Sequence, residues 1–182
     1  MEKVLVAYST WAGATHQVAE EIVKDLGKKN LQVNISTAKD VKSIKEFQTI
    51  VLGTSIHAGQ MTGDFIKFLK RFHTDLATKK TAFFVVCFNM IEDNEKNRAE
   101  TLAWLSKAVG KYSEIKPVSI GLFAGAAVTE SEEFNKLNIL VKKLIQSMKK
   151  SMDTERGKSD FREWDKVHVW SAELAEKISL LF

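Results

Sequence analysis

Ser9-Thr10-Trp11-Ala12-Gly13-Ala14-Thr15 lies between two unlike patterns. Before it, Val4-Leu5-Val6-Ala7-Tyr8 is a short apolar run that reads as a buried strand. After it, Val18, Ile22, Val23 and Leu26 recur at helical spacing. The segment is therefore a strand-to-helix turn, rich in hydroxyls and small residues. Free N–H groups point out of such a turn, and the helix start adds positive dipole charge. A phosphate group fits there. Gly13 lets the backbone approach closely, and Ser9, Thr10 and Thr15 supply side-chain donors. The plainer alternative is an ordinary turn with a hydroxyl cap. The loop has no Lys or Arg, which excludes the nucleotide-triphosphate loop and its Gly-Lys-Ser/Thr. No Gly-x-Gly-x-x-Gly follows the strand, so a dinucleotide fingerprint is absent. A neutral cradle suits one terminal phosphate monoester.

Working outward, strands and helices alternate. Leu31–Ile35 reads as a second strand near an edge, and Asp40–Phe47 as a short helix. Thr49–Gly53 is a buried third strand, Ser55–Gln60 a loop, and Thr62–Phe72 a helix with Phe65, Phe68, Leu69 and Phe72 on one face. Thr81–Phe88 is the most apolar run and reads as a central strand. A loop at Asn89–Asn94, a helix at Glu95–Val109 and a fifth strand at Val118–Phe123 follow. Five such strands, without polar alternation where they are central, predict an α/β fold: a doubly wound, five-stranded parallel sheet in one domain, residues 1–182. The last helix, about Phe161–Leu181, covers the sheet through Trp164, Val167, Leu174, Ala175 and Ile178. Asp160 with Glu163 reads as its capping box. Residues of about 126–158 are then a helical insertion after strand 5.

In open α/β sheets, ligands bind beyond the carboxyl ends of the strands. Three loops lie there. The first holds phosphate. The second offers Ser55, Ile56, His57, Ala58 and Gly59, and the third Phe88, Asn89 and Met90. These small, apolar or amide groups suit a flat heteroaromatic ring with hydrogen bonds at its edge. His57 has no carboxylate in its own loop to orient it, so it reads as a packing histidine rather than a proton donor. Trp11 either shields a ring or covers the loop. His16 falls in the first helical turn and is expected to be solvated. No metal set, Ser-His-Asp arrangement or paired carboxylate appears, so no metal and no catalytic side chain is assigned.

Composition narrows the setting. The 182 residues are 45% hydrophobic and 27% charged, as in a globular domain. No apolar run is long enough to span a bilayer, and the N-terminus enters a strand at once, so no signal peptide is expected. The single cysteine, Cys87, reads as an inert buried thiol in a reducing, cytoplasmic setting. Net charge is +4, but seven basic residues fall between Lys136 and Lys158, opposed only by Asp153 and Glu155. The rest of the chain is close to neutral, and no nucleic-acid partner is expected. At helical spacing Phe134, Leu137, Val141, Leu144, Ile145, Met148 and Met152 share one face of 134–152, with Lys136, Lys142, Lys143, Lys149 and Lys150 on the other. Two readings stay open: the apolar face packs on the sheet, or it docks on an anionic membrane surface or a substrate.

These motifs resemble the flavodoxin family, whose five parallel strands are ordered 2-1-3-4-5. Thr10, Gly13 and Thr15 match its phosphate loop, while Trp11, Ala12 and Ala14 depart from the commoner Thr and Asn. The chain is similar in particular to the flavodoxin-like, menaquinone-dependent protoporphyrinogen dehydrogenases of bacteria. Tyr8-Ser9-Thr10, Gly53-Thr54-Ser55-Ile56, Asn89, Ala124-Gly125-Ala126, the Lys-Leu-Ile run at 143–145 and Trp164-Asp165-Lys166-Val167 carry that likeness over nearly the whole chain. Two features differ from ordinary flavodoxins: the chain is basic, and the aromatic stacking residue of the second loop is missing. The resemblance implies flavin mononucleotide (FMN) held by Ser9–Thr15, Ser55–Gly59, Phe88–Met90 and Gly125. It implies an FMN-dependent oxidoreductase that dehydrogenates protoporphyrinogen with a quinone as acceptor. A flavodoxin-type electron carrier with a redox partner protein, or an FMN-binding regulatory module, are the alternatives. The expected location is cytoplasmic, peripheral at the inner face of the membrane if 134–152 docks there.

Overall fold

Val4–Ala7, Ile50–Leu52 and Ala82–Val86 are apolar at successive positions, so both faces of their strands need cover. In the computed structural model, which describes residues 1–179, all three segments are buried. The strands are β1 (Lys3–Ser9), β2 (Gln32–Thr37), β3 (Thr49–His57), β4 (Gln60–Met61), β5 (Lys80–Cys87) and β6 (Pro117–Ala124). Five are parallel in the order β2-β1-β3-β5-β6, and the two-residue β4 folds back antiparallel on β3. With β4 set aside, this is the expected order 2-1-3-4-5.

Helices cover both faces. α1 (Ala14–Gly27) and α6 (Trp164–Ser179) bury Val18, Ile22, Leu26, Val167, Leu174 and Ile178 on one side. α2 (Gly63–Leu76) and α3 (Glu95–Val109) bury Phe65, Phe68, Leu69, Phe72 and Leu105 on the other. Each such side chain contributes about 1.5–3 kcal/mol on burial. Among the described residues no helix is long and apolar enough to cross a membrane.

Several local expectations are corrected. Residues 40–47 are not a helix but turns and extended chain. Val41, Ile44 and Phe47 are buried, but Arg71 donates to the carbonyls of Val41 (3.1 Å) and Lys42 (2.8 Å), and Lys79 to that of Phe47 (2.5 Å). Distant side chains thus satisfy carbonyls that a helix would use internally. Ser55–His57 is strand rather than loop, because Ala58 (φ 47°) and Gly59 (φ 73°) make a tight reversal into β4. Asp160 caps no helix. Its carboxylate accepts from the Arg162 backbone N–H (3.0 Å) and Nε (2.9 Å), and α6 starts after Glu163. The expected end of that helix at Leu181 lies outside the described residues.

The insertion is two helices, not one: α4 (Glu132–Lys136) and α5 (Ile139–Arg156). Asn138 breaks them, its side chain accepting from Val141 N–H at 3.0 Å as the cap of α5. The break shifts the helical phase, so Phe134 and Leu137 do not share a helix with Val141–Met152. Ile145 is buried and Met152 packs on the core, whereas Ile139, Leu140 and Leu144 are 64%, 76% and 52% exposed. Two lysines expected in solvent are drawn in: Lys142 to Asn135 O (2.7 Å), and Lys149 to Asp153 (2.8 Å) and Ser159 Oγ (3.2 Å).

Candidate functional site

The carboxyl ends of β1, β3, β5 and β6 converge beside the start of α1. There Gly13 caps α1 at φ 98°, in the left-handed region, and its N–H donates to Thr10 Oγ1 at 3.0 Å. A Cβ on Gly13 would lie 2.7 Å from Ser131, so close approach demands glycine as well. The first N–H groups of α1 have no acceptor within the helix.

One cavity opens at this point. The first loop contributes Thr10, Trp11, Ala12, Ala14 and Thr15, and the end of β3 contributes Ser55, Ile56 and His57. Val86, Cys87 and Phe88 come from the end of β5, and Gly125, Ala126 and Ala127 follow β6. Ile145 and Met148 of α5 form its roof. Thr15 Oγ1, Ser55 Oγ and His57 Nε2 are buried without a hydrogen-bond partner. Among the described residues only one other buried side-chain polar atom, in Ser171 of α6, is in that condition. An unpaired buried polar group costs about 1–3 kcal/mol. Two hydroxyls and an imidazole nitrogen gathered on one cavity therefore point to polar ligand atoms.

The site carries little charge of its own. His57 packs on the Trp11 ring, centroids 4.1 Å apart, and burial pushes its pKa down to about 4. The imidazole is neutral at neutral pH, and Trp11 covers it. Burial pushes the Cys87 thiol up, keeping it protonated. No Lys or Arg lines the cavity. Arg162 stands close by: it donates to Gln17 Oε1 of α1 (2.5 Å), is held by Asp160, and stacks over Trp164.

Of the residues read from sequence, Thr10, Trp11, Ala12, Ala14, Thr15, Ser55, Ile56, His57, Phe88 and Gly125 come together here. The others point elsewhere. Ser9 bonds Thr62 by its hydroxyl, and Gly13 faces Ser131. The Ala58-Gly59 turn lies near Trp104. Asn89 donates to Asn97 O (3.1 Å) and Thr101 Oγ1 (3.0 Å), and Met90 is buried in the core. Sequence reading missed Val86, Cys87, Ala126, Ala127, Ile145 and Met148. The small pair Ala126-Ala127 directly after a strand was the available signal.

His16 falls in the first turn of α1, as expected, but is only partly solvated: it stacks on Tyr8 (4.7 Å) and pairs with Glu133 of α4 (2.7 Å). Burial first, and Glu133 next, push the Tyr8 hydroxyl up to about 12. Both ends of the insertion are tied to the cavity loops. Ser131 Oγ donates to Ala12 O at 2.9 Å. Ala127 N–H donates to Ser159 O (2.9 Å), and Phe161 N–H to Gly125 O (3.2 Å).

The profile of the Flavodoxin domain family matches residues 5–160. Protoporphyrinogen IX dehydrogenase [quinone] of Leishmania major is 26% identical over 179 residues, covering 95% of this chain and 74% of that protein. The protein of the same name from Escherichia coli K12 is 23% identical over 176 residues, covering 95% and 94%. Among solved structures, a flavodoxin from the domain Archaea superposes with a TM-score of 0.55 at 19% identity, covering 97% of this chain and 99% of that one.

Proposed function

This chain belongs to the flavodoxin domain family, and from that premise we propose that it is an FMN-dependent oxidoreductase. Its substrate is protoporphyrinogen or a similar reduced compound, and a quinone is the electron acceptor. The chain is one domain over residues 1–182, with 126–158 as its insertion. The observation that carries the reading is the set of three unpartnered polar atoms, on Thr15, Ser55 and His57, around one cavity at the strand ends. The names of the relatives support the substrate and the acceptor.

The residues present fit a flavin. The loop Ser9–Thr15 and the start of α1 would take the phosphate through backbone N–H groups and the Thr15 hydroxyl. Its lack of basic residues suits one monoester rather than a di- or triphosphate. Trp11, Ile56, His57 and Phe88 offer apolar surface for the ring system, with Ser55 and His57 Nε2 as edge partners. When bound, the flavin supplies the hydride and electron chemistry, and the protein supplies orientation and electronics. Neutral His57 and protonated Cys87 place no formal charge beside the ring.

The free space of the cavity, about 40 Å³, is far below the roughly 300 Å³ and more of a small-molecule site. Ligand entry therefore displaces Ile145 and Met148. The left-handed Gly157 (φ 71°), with open space around it, and the break at Asn138 flank α5.

An anionic membrane surface is the proposed meeting place with quinone. Exposed Ile139, Leu140 and Leu144 on α5, beside Lys136, Lys143 and Lys150, support it. The proposed location is accordingly cytoplasmic, peripheral at the inner face of the membrane. The second reading is an electron carrier without its own substrate, favoured by the flavodoxin fold itself. The test is anaerobic incubation of the FMN-loaded protein with protoporphyrinogen and a menaquinone analogue. Porphyrin fluorescence that grows only when the quinone is present supports the enzyme. No turnover, with flavin still reduced by a partner reductase, replaces it by the carrier.

A further inference from the structure

Between Glu133 and Asp153 the chain carries five lysines and no acidic residue. Three of the lysines are occupied: Lys142 by Asn135 O, Lys149 by Asp153 and Lys136 by Glu132. Among the described residues the side chains of Lys143 and Lys150 make no hydrogen bond or ion pair, and both are exposed. They are seven residues apart and so share one face of α5. Ile139, four residues before Lys143, joins that face. The outer side of α5 therefore offers uncompensated positive charge and bare apolar surface together.

Leu140, Leu144, Met148 and Met152 stand four apart and form one row along α5. At about 100° per residue the row drifts roughly 40° around the helix at each step. Its burial follows that drift. Leu140 and Leu144 are exposed, Met148 lines the cavity and Met152 packs on the core. One apolar row thus leads from open surface to the cavity roof. The helix that carries it is lightly seated. Of its 18 residues only Ile145 is buried, against five of 14 in α1 and six of 16 in α6.

We infer that an anionic bilayer acts on α5 as the release of the cavity roof. The inference rests on the membrane docking proposed above and adds its consequence for the site. Charge and apolar surface together select the occupant. Anionic headgroups answer Lys143 and Lys150, and the acyl region takes Ile139, Leu140 and Leu144. A soluble polyanion answers the lysines alone. Because the row is continuous, a bilayer that covers Leu140 and Leu144 also competes with the cavity for Met148 beside them. Burying the row rolls α5 outward about its ends, the Asn138 cap and the left-handed Gly157. Met148 then leaves the cavity and uncovers its wall at Cys87.

Alkylation of Cys87, the single cysteine, by N-ethylmaleimide reads the roof directly, since this thiol is buried on the cavity wall. The full flavin-free chain is mixed with vesicles of phosphatidylglycerol and phosphatidylcholine, or of phosphatidylcholine alone. The expected result is co-sedimentation with the anionic vesicles only, and alkylation several-fold faster on them, with unchanged circular dichroism. Lys143→Glu with Lys150→Glu, or Leu140→Gln with Leu144→Gln, should weaken vesicle binding about tenfold or more and remove the acceleration. Neither pair lines the cavity, so the rate without vesicles stays the same. No co-sedimentation of the intact chain at low salt overturns the inference. So does unchanged alkylation of vesicle-bound chain, or equal acceleration by a soluble polyanion. A final arm adds FMN, which slows alkylation by filling the cavity. FMN without effect contradicts the flavin reading alone, because the vesicle arms contain no flavin.

Discussion

Ser131 donates its hydroxyl to the carbonyl oxygen of Ala12 at 2.9 Å, across 119 residues of sequence. Ser131 Oγ in turn accepts the N–H of Phe134 at 2.9 Å and so caps α4. One side chain thus starts the insertion and steadies the loop proposed to hold phosphate. Ser131→Ala should cost roughly 1 kcal/mol of stability, the usual loss of an N-cap, and weaken FMN binding by a similar amount. Urea unfolding and flavin fluorescence titration measure the two. A stability loss with unchanged FMN affinity would show that the insertion does not steady the loop.

Thr15 separates folding from binding. Its hydroxyl is buried with no partner. Thr15→Val keeps the shape and removes the unpaired group. The flavin-free protein should then gain about 1 kcal/mol, while FMN binding weakens by about 1.5–3 kcal/mol, the range for a hydrogen bond to a charged group. Opposite signs in thermal melts of the two forms are the expected signature. Losses in both would mean that the hydroxyl serves the fold.

His57 ties stability to pH. Burial pushes its pKa in the folded chain down to about 4 from the ordinary 6.5. Between these values the unfolded chain binds a proton that the folded one does not. Stability is therefore complete above about pH 6.5 and falls as pH drops toward 4. The loss should be about 2 kcal/mol, since the ring keeps some exposure to solvent. His57→Gln should flatten the melting temperature over this interval. An unchanged slope in the variant would assign the pH dependence to other groups.

The roof is tested through rates. Met148 lines the cavity from α5, and in the proposed reading FMN enters as that helix gives way. Met148→Ala should speed FMN association several-fold, with dissociation rising at least as much, because roof contacts are lost. Stopped-flow fluorescence resolves both rates. Unchanged association would place the entry path elsewhere.

The parts of this fold legible in sequence are those governed by local periodicity. The buried runs of β1, β3 and β5 and the helix Glu95–Val109 depend on burial over neighbouring residues, and their positions read directly. Residues 40–47 failed because their apolar spacing mimics a helix, while their carbonyls are taken by Arg71 and Lys79 from α2 and the turn after it. The site divides in the same way. Thr10, Thr15, Ser55, His57 and Phe88 follow from the rule that ligands sit at the carboxyl ends of parallel strands. Ile145 and Met148 did not, since the break at Asn138 and the ties through Ser131 and Ser159 are tertiary facts. Cys87 was read as buried, which it is, but its place on the cavity wall depends on where β5 ends.

In the proposed function, the cavity beside Gly13 and Thr15 takes FMN by its phosphate. Calorimetric titration of the flavin-free chain with FMN and with riboflavin tests it most directly, since the two ligands differ only in the phosphate. One FMN per chain is expected, with a riboflavin affinity at least about tenfold weaker and Thr15→Val removing much of the difference. Equal affinity for the two, or no uptake of FMN by a chain whose circular dichroism shows an intact fold, would contradict it.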